Sequence, residues 1–253
     1  MVESGAVMDT IAERAPVQIS VVVPAYREQK RIGRCLQRLE GWLAEHEPDH
    51  EIIVVDDGSP DATSAVVKKW AGNHGRRRLI RYERNRGKGF AVRRGLAEAC
   101  GRYVFFTDAD LSTPPEEFDR ALAALQHADI VVGTRAAAES TIIVHQRRYR
   151  ESMGRVFNVL AGLLGVAWVA DTQCGFKGFR REVLEPLLRE SHIDGFAFDV
   201  ELLLLARERG LRIHELPITW RNDPESHVHV FSDSLRMLAD LVAIALRRRF
   251  GGR

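Results

Sequence analysis

The sequence predicts an α/β fold: a single domain whose mostly parallel central sheet carries helices on both faces. Three short apolar runs, rich in β-branched or aromatic residues, occur at 19–23, 51–55 and 103–107. Strands buried on both faces of a parallel sheet contain such continuous runs, and helical stretches separate them at the spacing of right-handed crossover connections. The 253 residues, 45% of them hydrophobic, suffice for one large domain, and a second is not expected.

The first strand and helix follow a polar leader. Residues 1–16 are mixed in charge and are expected to form a loose N-terminal segment, with the domain itself spanning 17–250. Pro24 stops the first strand, and a helical stretch continues to about Leu43. The leader does not resemble a signal peptide, and no stretch reaches the roughly 18 apolar residues of a membrane span.

The second strand ends in D-D-G-S-P at 56–60, which indicates the start of the next helix. Ser59 is a suitable N-cap and Pro60 a suitable first helical residue. A third strand is expected at 78–82, followed by N-R-G-K-G at 85–89 and a further helix.

Two carboxylates one residue apart, Asp108 and Asp110, directly follow the apolar run 103–107. Two such acids repel each other unless a cation lies between them, and few, hard oxygen ligands suit Mg²⁺ or Mn²⁺ held jointly with a phosphorylated ligand. Thr113 and Glu116 are typical of an N-cap and a capping-box acid, so the pair lies in a strand-to-helix loop, where open α/β sheets bind ligands. The same D-x-D spacing also arises by chance in surface turns.

The remaining elements depart from strict alternation. Beyond the D-x-D strand we expect a helix at 114–127, a strand at 129–135, a helix at 149–166, an irregular strand at 171–179, a leucine-rich helix at 195–209, a strand at 212–218 and a polar loop at 220–229. The chain closes with an amphipathic helix at 232–250, in which leucine and valine recur at helical spacing.

Several polar side chains are expected to line one crevice, because the carboxyl ends of parallel strands meet at one edge of a sheet. They are Tyr26, Glu28, Asp57, Asp108, Asp110 and Arg135. The absence of a G-x-G-x-x-G after the first strand disfavours a dinucleotide oxidoreductase, and the absence of G-x-x-x-x-G-K-[ST] removes a P-loop NTPase. The net charge of +2 indicates no nucleic-acid partner, and three dispersed cysteines indicate no zinc site or disulfide framework.

Four motifs, in this order and at this spacing, resemble those of the family 2 inverting glycosyltransferases, which have the Rossmann-like GT-A fold. They are V-P-A-Y-R-E at 23–28, V-D-D-G-S at 55–59, G-K-G at 87–89 and D-A-D at 108–110. G-T-R at 133–135 is similar to the polyprenyl-phosphate branch of that family. D-T-Q-C-G-F-K at 171–177 and F-D-V-E-L-L at 198–203 resemble the dolichyl-phosphate β-glucosyltransferases of that branch. The resemblance covers roughly residues 19–250.

The resemblance implies a nucleotide-sugar site with a divalent cofactor, Mg²⁺ or Mn²⁺. It assigns the nucleoside to Pro24, Tyr26, Glu28 and Asp57, the sugar, diphosphate and metal to Asp108, Ala109 and Asp110, and phosphate to Arg135. Asp108 and Asp110 are the implied metal ligands, and with Arg135 they form the implied catalytic group. A carboxylate such as Asp57 can accept the imide N–H of uracil or the N1–H and amine of guanine, so the base stays open.

The related enzymes also place an arginine six residues before the lysine of a Ser-Lys pair that closes over the phosphates. Arg221 fits this arginine, but Ser226 is followed by His227. Histidine is neutral for much of the time near pH 7 unless an anion raises its pKa. Either the donor phosphates hold His227 protonated, or the contact is only a hydrogen bond; His229 could share the task.

The implied reaction is metal-dependent, inverting transfer of a hexose from a nucleotide sugar to a polyprenyl phosphate. The stretches at 171–177 and 198–203 favour UDP-glucose as donor, while a GDP-mannose-dependent mannose synthase and a family member with a non-lipid acceptor stay open. A phosphate monoester is already mostly dianionic at neutral pH, so no strong general base is required. The leaving nucleoside diphosphate instead needs its growing charge neutralised.

The acceptor phosphate is expected at Arg147, Arg148 and Ser152, although this basic run could equally be a solvated helix start. Asp199, with Glu201, is expected to orient arginine or lysine side chains near the acceptor; a helix N-terminus also favours such acids. The apolar stretch 156–168 and the last helix, ending in three arginines, suit an enzyme lying peripherally on the cytoplasmic face of a membrane, though both could be core helices.

Three other classes of protein fit the sequence less well. A D-x-D phosphatase of the haloacid dehalogenase type would carry its motif after the first strand and continue with a hydroxyl residue, whereas Leu111 follows here. A sugar-1-phosphate nucleotidylyltransferase would need a glycine-rich basic loop after the first strand. A non-catalytic nucleotide-sugar-binding subunit is favoured only by the histidine at position 227.

Overall fold

The computed structural model describes residues 17–144, 162, 169–221 and 230–250. Its helices and strands, in chain order, are β1 (Ile19–Ala25), α1 (Ile32–His46), β2 (His50–Asp56), α2 (Thr63–Ala71), β3 (Arg77–Arg81), α3 (Lys88–Glu98), β4 (Tyr103–Thr107), α4 (Glu117–Leu125), β5 (Ile130–Thr134), β6 (Thr141–Val144), β7 (Phe176–Arg180), α5 (Arg181–Glu190), α6 (Phe198–Glu208), β8 (Ile213–Pro217), β9 (Thr219–Arg221) and α7 (Val230–Phe250). The predicted leader 1–16 and most of the predicted helix 149–166 lie outside the described residues. Within the described ranges, no helix is long and apolar enough to cross a membrane.

Seven strands form the central sheet, in the order β3-β2-β1-β4-β7-β5-β8. Neighbouring strands are parallel except at β7, which runs antiparallel to both β4 and β5. The predicted mostly parallel sheet is therefore confirmed. The reversal of β7 brings its first residue, Phe176, to the edge where the other strands end, since Thr107 at the end of β4 pairs with Phe176.

Helices cover both faces of the sheet, as predicted. The two faces follow the alternation of the strand side chains. Val21 and Val23 of β1 pack with helices α1, α2 and α4, whereas Val22 packs with α3, α5, α6 and α7. These helix-facing strand residues are fully buried, which explains the uninterrupted apolar runs in the sequence.

Two predicted helix starts are wrong. Helix α2 begins at Thr63, four residues after Ser59, and Ser59 Oγ accepts a hydrogen bond from the Arg27 N–H (3.0 Å). Helix α4 begins at Glu117, after a turn in which the carbonyls of Pro114 and Pro115 accept from the N–H groups of Glu117 (3.1 Å) and Phe118 (3.0 Å). At neither start does the N-cap residue make a side-chain hydrogen bond to the helix, and at α2 Asp61 Oδ1 accepts from the Thr63 N–H instead (3.1 Å).

Three elements are absent from the sequence prediction. Strands β6 and β9 form a separate two-stranded parallel sheet, and strands of four and three residues are too short for hydrophobic alternation to be recognised. β9 also occupies the start of the loop predicted at 220–229. Helix α5 carries Pro186 in its interior, a residue that argues against a helix on sequence grounds.

Candidate active site

The D-x-D acids lie at the carboxyl edge of the sheet, in the loop that follows β4. The Asp108 N–H donates to the carbonyl of Gly175 (3.1 Å), which immediately precedes β7. A Cβ atom placed on Gly175 would lie 1.9 Å from Asp108 Oδ2, so the side chain of Asp108 occupies the space that only glycine leaves free. Asp110 Oδ1 accepts from the Ser112 N–H (2.8 Å), and Ala109 between the two acids is buried.

The surrounding protein does not fully offset the negative charge of Asp108 and Asp110. Burial, together with the neighbouring Asp108, raises the pKa of Asp110. No group of three potential metal ligands occurs among the described residues. Two carboxylates on one loop fit a hard divalent ion that takes its other ligands from a diphosphate, and they do not suit an ion held by protein alone.

Lys88 contacts the first of the two acids and was missed as a site residue by the sequence prediction. Its Nζ lies 2.6 Å from Asp108 Oδ1. Burial alone would lower the pKa of Lys88, but the carboxylates of Asp108 and Asp199 raise it, so the side chain is a cation. The available signal was its place in the G-K-G motif, which was used only to recognise the family.

Close backbone contacts explain why both outer positions of the G-K-G motif are glycine. A Cβ on Gly87 would lie 2.4 Å from the carbonyl oxygen of Asp194, and one on Gly89 would lie 2.5 Å from that of Ile193. Gly87 also has a φ of +107°, which side chains rarely adopt. The segment before α6 therefore packs directly on the start of α3.

A buried ion pair lies behind Lys88. Lys177 Nζ of β7 is 2.7 Å from Asp199 Oδ1 in the first turn of α6, and these side chains are 1% and 3% exposed. Lys177 also donates to the Cys174 carbonyl (2.7 Å) and lies 5.3 Å from the ring centroid of Phe106. Burial raises the pKa of Asp199, against the effect of Lys177. Asp199 thus contacts a lysine, and its role near the acceptor stays a prediction.

Glu201 makes different contacts, although it is also buried in the first turn of α6. Its Oε2 accepts from Ser191 Oγ (2.9 Å) and from the backbone N–H groups of His192 (2.7 Å) and Ile193 (2.8 Å). Glu201 therefore fixes the segment that packs on the G-K-G motif.

Arg135, at the end of β5, is held by Asp171. Its Nε and Nη2 lie 2.6 Å and 2.7 Å from the two carboxylate oxygens, and its backbone N–H also donates to Asp171 (3.1 Å). The guanidinium lies 5.4 Å from the ring centroid of Trp220. This bidentate pair leaves Nη1 as the guanidinium nitrogen that Asp171 does not use.

Acid should weaken the ion pair between Arg135 and Asp171. Burial alone would raise the pKa of Asp171, but Arg135 lowers it below its ordinary value of 3.8. A carboxyl with a lowered folded-state pKa contributes stability that is complete above the ordinary value and is lost as the pH falls through the lowered one. We expect the difference in unfolding free energy between wild type and Asp171→Asn to be constant above about pH 5 and to shrink below about pH 4. Urea denaturation at several pH values measures it, and a difference that grows in acid would contradict the pairing.

Asp57, predicted to contact the nucleoside base, is bound to the loop after β3. Its carboxylate accepts from the N–H groups of Arg86 (2.7 Å) and Gly87 (2.9 Å) and from Asn85 Nδ2 (2.8 Å). Burial raises the pKa of this carboxyl. Asp57 therefore ties the end of β2 to the G-K-G motif, a contact that sequence reasoning did not anticipate.

The other predicted nucleoside residues lie at the end of β1 and in the loop after it. Glu28 forms a bidentate ion pair with Arg31, and its backbone N–H donates to Thr63 Oγ1 (2.8 Å). Tyr26 is partly exposed, with the Arg27 guanidinium 5.5 Å from its ring centroid, and Pro24 lies within β1 itself. The loop after β1 is thus fastened to the loop after β2, and both border the D-x-D edge.

Arg221 lies beside the D-x-D loop, because its backbone N–H donates to the Ser112 carbonyl (2.8 Å). Its side chain is exposed. The other predicted phosphate and acceptor residues lie outside the described residues; they are Arg147, Arg148, Ser152, His227 and His229. The structure therefore brings together Asp108, Asp110, Lys88, Asp199 and the loops after β1, β2 and β5 at one edge of the sheet.

Comparison with known proteins identifies relatives along almost the whole chain. The family model Glycosyl transferase family 2 matches residues 20–188. Dolichyl-phosphate beta-glucosyltransferases of Drosophila melanogaster and Homo sapiens are 34% and 35% identical, over 96% and 91% of this chain and 78% and 75% of the relatives. One from Trichomonas vaginalis is 36% identical, over 96% of this chain and 75% of its own length.

Solved structures share the fold. A glucosyl-3-phosphoglycerate synthase from Mycobacterium tuberculosis, in complex with Mn²⁺, uridine diphosphate and glucosyl-3-phosphoglycerate, aligns with a TM-score of 0.68 at 23% identity, over 93% of this chain and 84% of that one. A mannosyl-3-phosphoglycerate synthase from Rubrobacter xylanophilus aligns with a TM-score of 0.67 at 21% identity, over 92% and 75%. These likenesses confirm the predicted fold. The chain belongs to glycosyl transferase family 2, and dolichyl-phosphate beta-glucosyltransferases are among its relatives.

Proposed function

We propose that this glycosyltransferase transfers glucose from UDP-glucose to a polyprenyl phosphate, with inversion at the anomeric carbon. The observation that carries the proposal is the pair Asp108 and Asp110, placed at the carboxyl edge of the sheet in a chain 34% to 36% identical to dolichyl-phosphate β-glucosyltransferases. The products are a polyprenyl-phosphate β-glucose and UDP.

Asp108 and Asp110 would hold Mg²⁺ or Mn²⁺, a choice supported by their hard oxygen donors. When bound, the ion supplies positive charge that neutralises the leaving diphosphate. Arg135 is suited to the same task because Asp171 orients its guanidinium and leaves Nη1 for a phosphate oxygen. Arg221, beside the D-x-D loop, and His227 would close over the phosphates.

The acceptor needs little activation. A phosphate monoester is mostly dianionic at pH 7, so its oxygen attacks without a strong general base. Arg147, Arg148 and Ser152 are the residues proposed to hold this phosphate. Asp199 would then act by fixing Lys177. Tyr26, Glu28 and Asp57, at the ends of β1 and β2, are proposed to border the nucleoside, with Asp57 acting through the loop it holds.

An apolar face on α7 supports attachment to a membrane surface. Leu238, Val242 and Leu246 recur every four residues and are 46%, 51% and 52% exposed, whereas Leu241 and Ile244 on the opposite face are buried in the core. This stripe suits an interfacial helix that lies on the surface of a bilayer. We propose that it holds the enzyme peripherally on the cytoplasmic face of the membrane that carries the lipid acceptor.

The basic end of α7 is only partly available to lipid. Arg247 pairs with Glu201 (3.3 Å) and Arg248 with Glu208 (2.7 Å), while their side chains remain 51% and 40% exposed. Apolar contact through the exposed stripe is the larger contribution to the proposed attachment.

Replacing Leu238 and Val242 together with asparagine should weaken binding to anionic vesicles by about tenfold or more, because both exposed side chains lose their apolar contact with lipid. Vesicle co-sedimentation measures the effect, and circular dichroism should show an unchanged fold. Leu241→Asn, on the buried face of the same helix, is the control and should lower stability instead. Unchanged vesicle binding by the double variant would exclude this face as the attachment site.

The acceptor class is tested by offering labelled UDP-glucose with either a short polyprenyl phosphate or 3-phosphoglycerate, the acceptor suggested by the names of the solved relatives. The proposal predicts transfer to the lipid phosphate alone. Transfer to 3-phosphoglycerate alone would establish a family member with a non-lipid acceptor.

A further inference from the structure

We propose that Lys88 serves as a built-in counter-cation for Asp108, so that the divalent ion enters together with the nucleoside diphosphate and hardly binds before it. The inference rests on the proposed function, because it concerns how the donor and its metal are loaded. Lys88 is a positioning residue in this account, and no direct contact with the sugar is required of it.

One oxygen of Asp108 already has a cationic partner within the protein. Oδ1 lies 2.6 Å from Lys88 Nζ, and Oδ2 lies against Gly175, where no larger residue would fit. A hydrated ion that binds Oδ1 must therefore share this oxygen with an ammonium group or displace it. The side chains of Lys88 and Asp108 are 19% and 34% exposed, so water screens their attraction only in part.

The charge balance of the described cluster points the same way. Lys88 offsets the charge of Asp108 (2.6 Å) and Lys177 that of Asp199 (2.7 Å), so these four side chains with Asp110 carry a net charge of −1. A bare divalent ion is therefore attracted by a single net negative charge. Without Lys88, the same cluster would carry one more uncompensated negative charge beside the ion.

A nucleoside diphosphate changes both the ligands available to the metal and the charge around it. Its phosphate oxygens supply the metal ligands that the described residues lack, and its negative charge offers the ammonium a second partner. Metal and nucleotide should therefore bind with positive coupling, and that coupling is reciprocal. Removing the ammonium should raise the affinity for metal alone and so reduce the coupling.

The test is a Mn²⁺ titration followed by the electron paramagnetic resonance signal of free Mn²⁺, with and without UDP. We expect wild type to bind Mn²⁺ at least about tenfold more tightly with UDP present, and Lys88→Met to bind Mn²⁺ without UDP about tenfold more tightly than wild type. Lys88→Arg, which keeps the charge, should behave as wild type. Lys68→Met, on the exposed face of α2, is the matched control.

Two results separate this inference from the proposed function. If Lys88→Met is folded by thermal melting and binds Mn²⁺ without UDP no better than wild type, the counter-cation role is overturned; Lys88→Gln gives the same reading should the methionine variant fail to fold. If Asp108→Asn retains wild-type binding of Mn²⁺ with UDP, the D-x-D pair does not hold the metal, and the proposed site falls together with this inference.

Discussion

Replacing Asp110 with asparagine should lower the rate of glucosyl transfer by about three orders of magnitude, because the protein loses one of the two carboxylates proposed to hold the metal that stabilises the leaving group. Asparagine has the same shape, and its side-chain oxygen can still accept from the Ser112 N–H. The loop should therefore stay folded. Initial rates at saturating Mn²⁺ and UDP-glucose measure the effect.

Asp119→Asn is the matched control for this prediction. Asp119 lies exposed in the first turn of α4, so its replacement removes the same charge away from the site and should leave the rate unchanged. An Asp110→Asn enzyme as active as wild type would show that Asp110 does not hold the metal.

Replacing Asp199 with asparagine should destabilise the fold by about 3–5 kcal/mol, because it leaves the ammonium of Lys177 buried without its counter-charge. Lys177 and Asp199 are 1% and 3% exposed, so water cannot take over the role of the carboxylate. Adding Lys177→Met should recover much of the loss, since the double variant buries no unpaired charge. Urea denaturation of the two single variants and the double variant measures the coupling.

The exposed pair Arg189 and Glu185 is the control for that experiment. Both side chains are 74% exposed, and Glu185→Gln should change the unfolding free energy by no more than about 1 kcal/mol. If Asp199→Asn were as stable as wild type, or if Lys177→Met made it less stable still, the buried pair would not be a structural requirement of this site.

The sheet could be predicted because its strands carry local signals. Residues 19–23, 51–55 and 103–107 are buried on both faces, and this burial requires the continuous apolar runs visible in the sequence. The antiparallel direction of β7 was not predictable in this way. It depends on the connection between β5 and β7, most of which has no comparable pattern.

The position of the D-x-D pair at a ligand-binding edge could be predicted, because two acids directly after a buried strand repel each other unless a cation lies between them. The partners of these residues could not, since they come from distant parts of the chain. Asp171 lies 36 residues from Arg135, and Lys88 lies 20 residues from Asp108, on another element of the fold. Only the reversed strand β7 and the close packing at the G-K-G motif bring these charges together.

Local signals also misled where loop residues had a tertiary partner. Ser59 is a residue type that often caps a helix, yet its hydroxyl accepts from the Arg27 N–H in the neighbouring loop. A backbone N–H from another loop thus competes for this side chain, and sequence spacing does not reveal that competitor. Asp57 also accepts from residues 85–87, and its place at the nucleoside stays a prediction.

The most direct test of the proposed function is a donor comparison with purified protein, Mn²⁺ and a short polyprenyl phosphate, in which labelled UDP-glucose or GDP-mannose is supplied and label is counted in the organic phase. We expect label from UDP-glucose to enter the lipid, a chelator to abolish the transfer, and GDP-mannose to give far less label in the lipid. Transfer from GDP-mannose alone would make the enzyme a mannose synthase. Transfer from neither donor would contradict the proposed reaction.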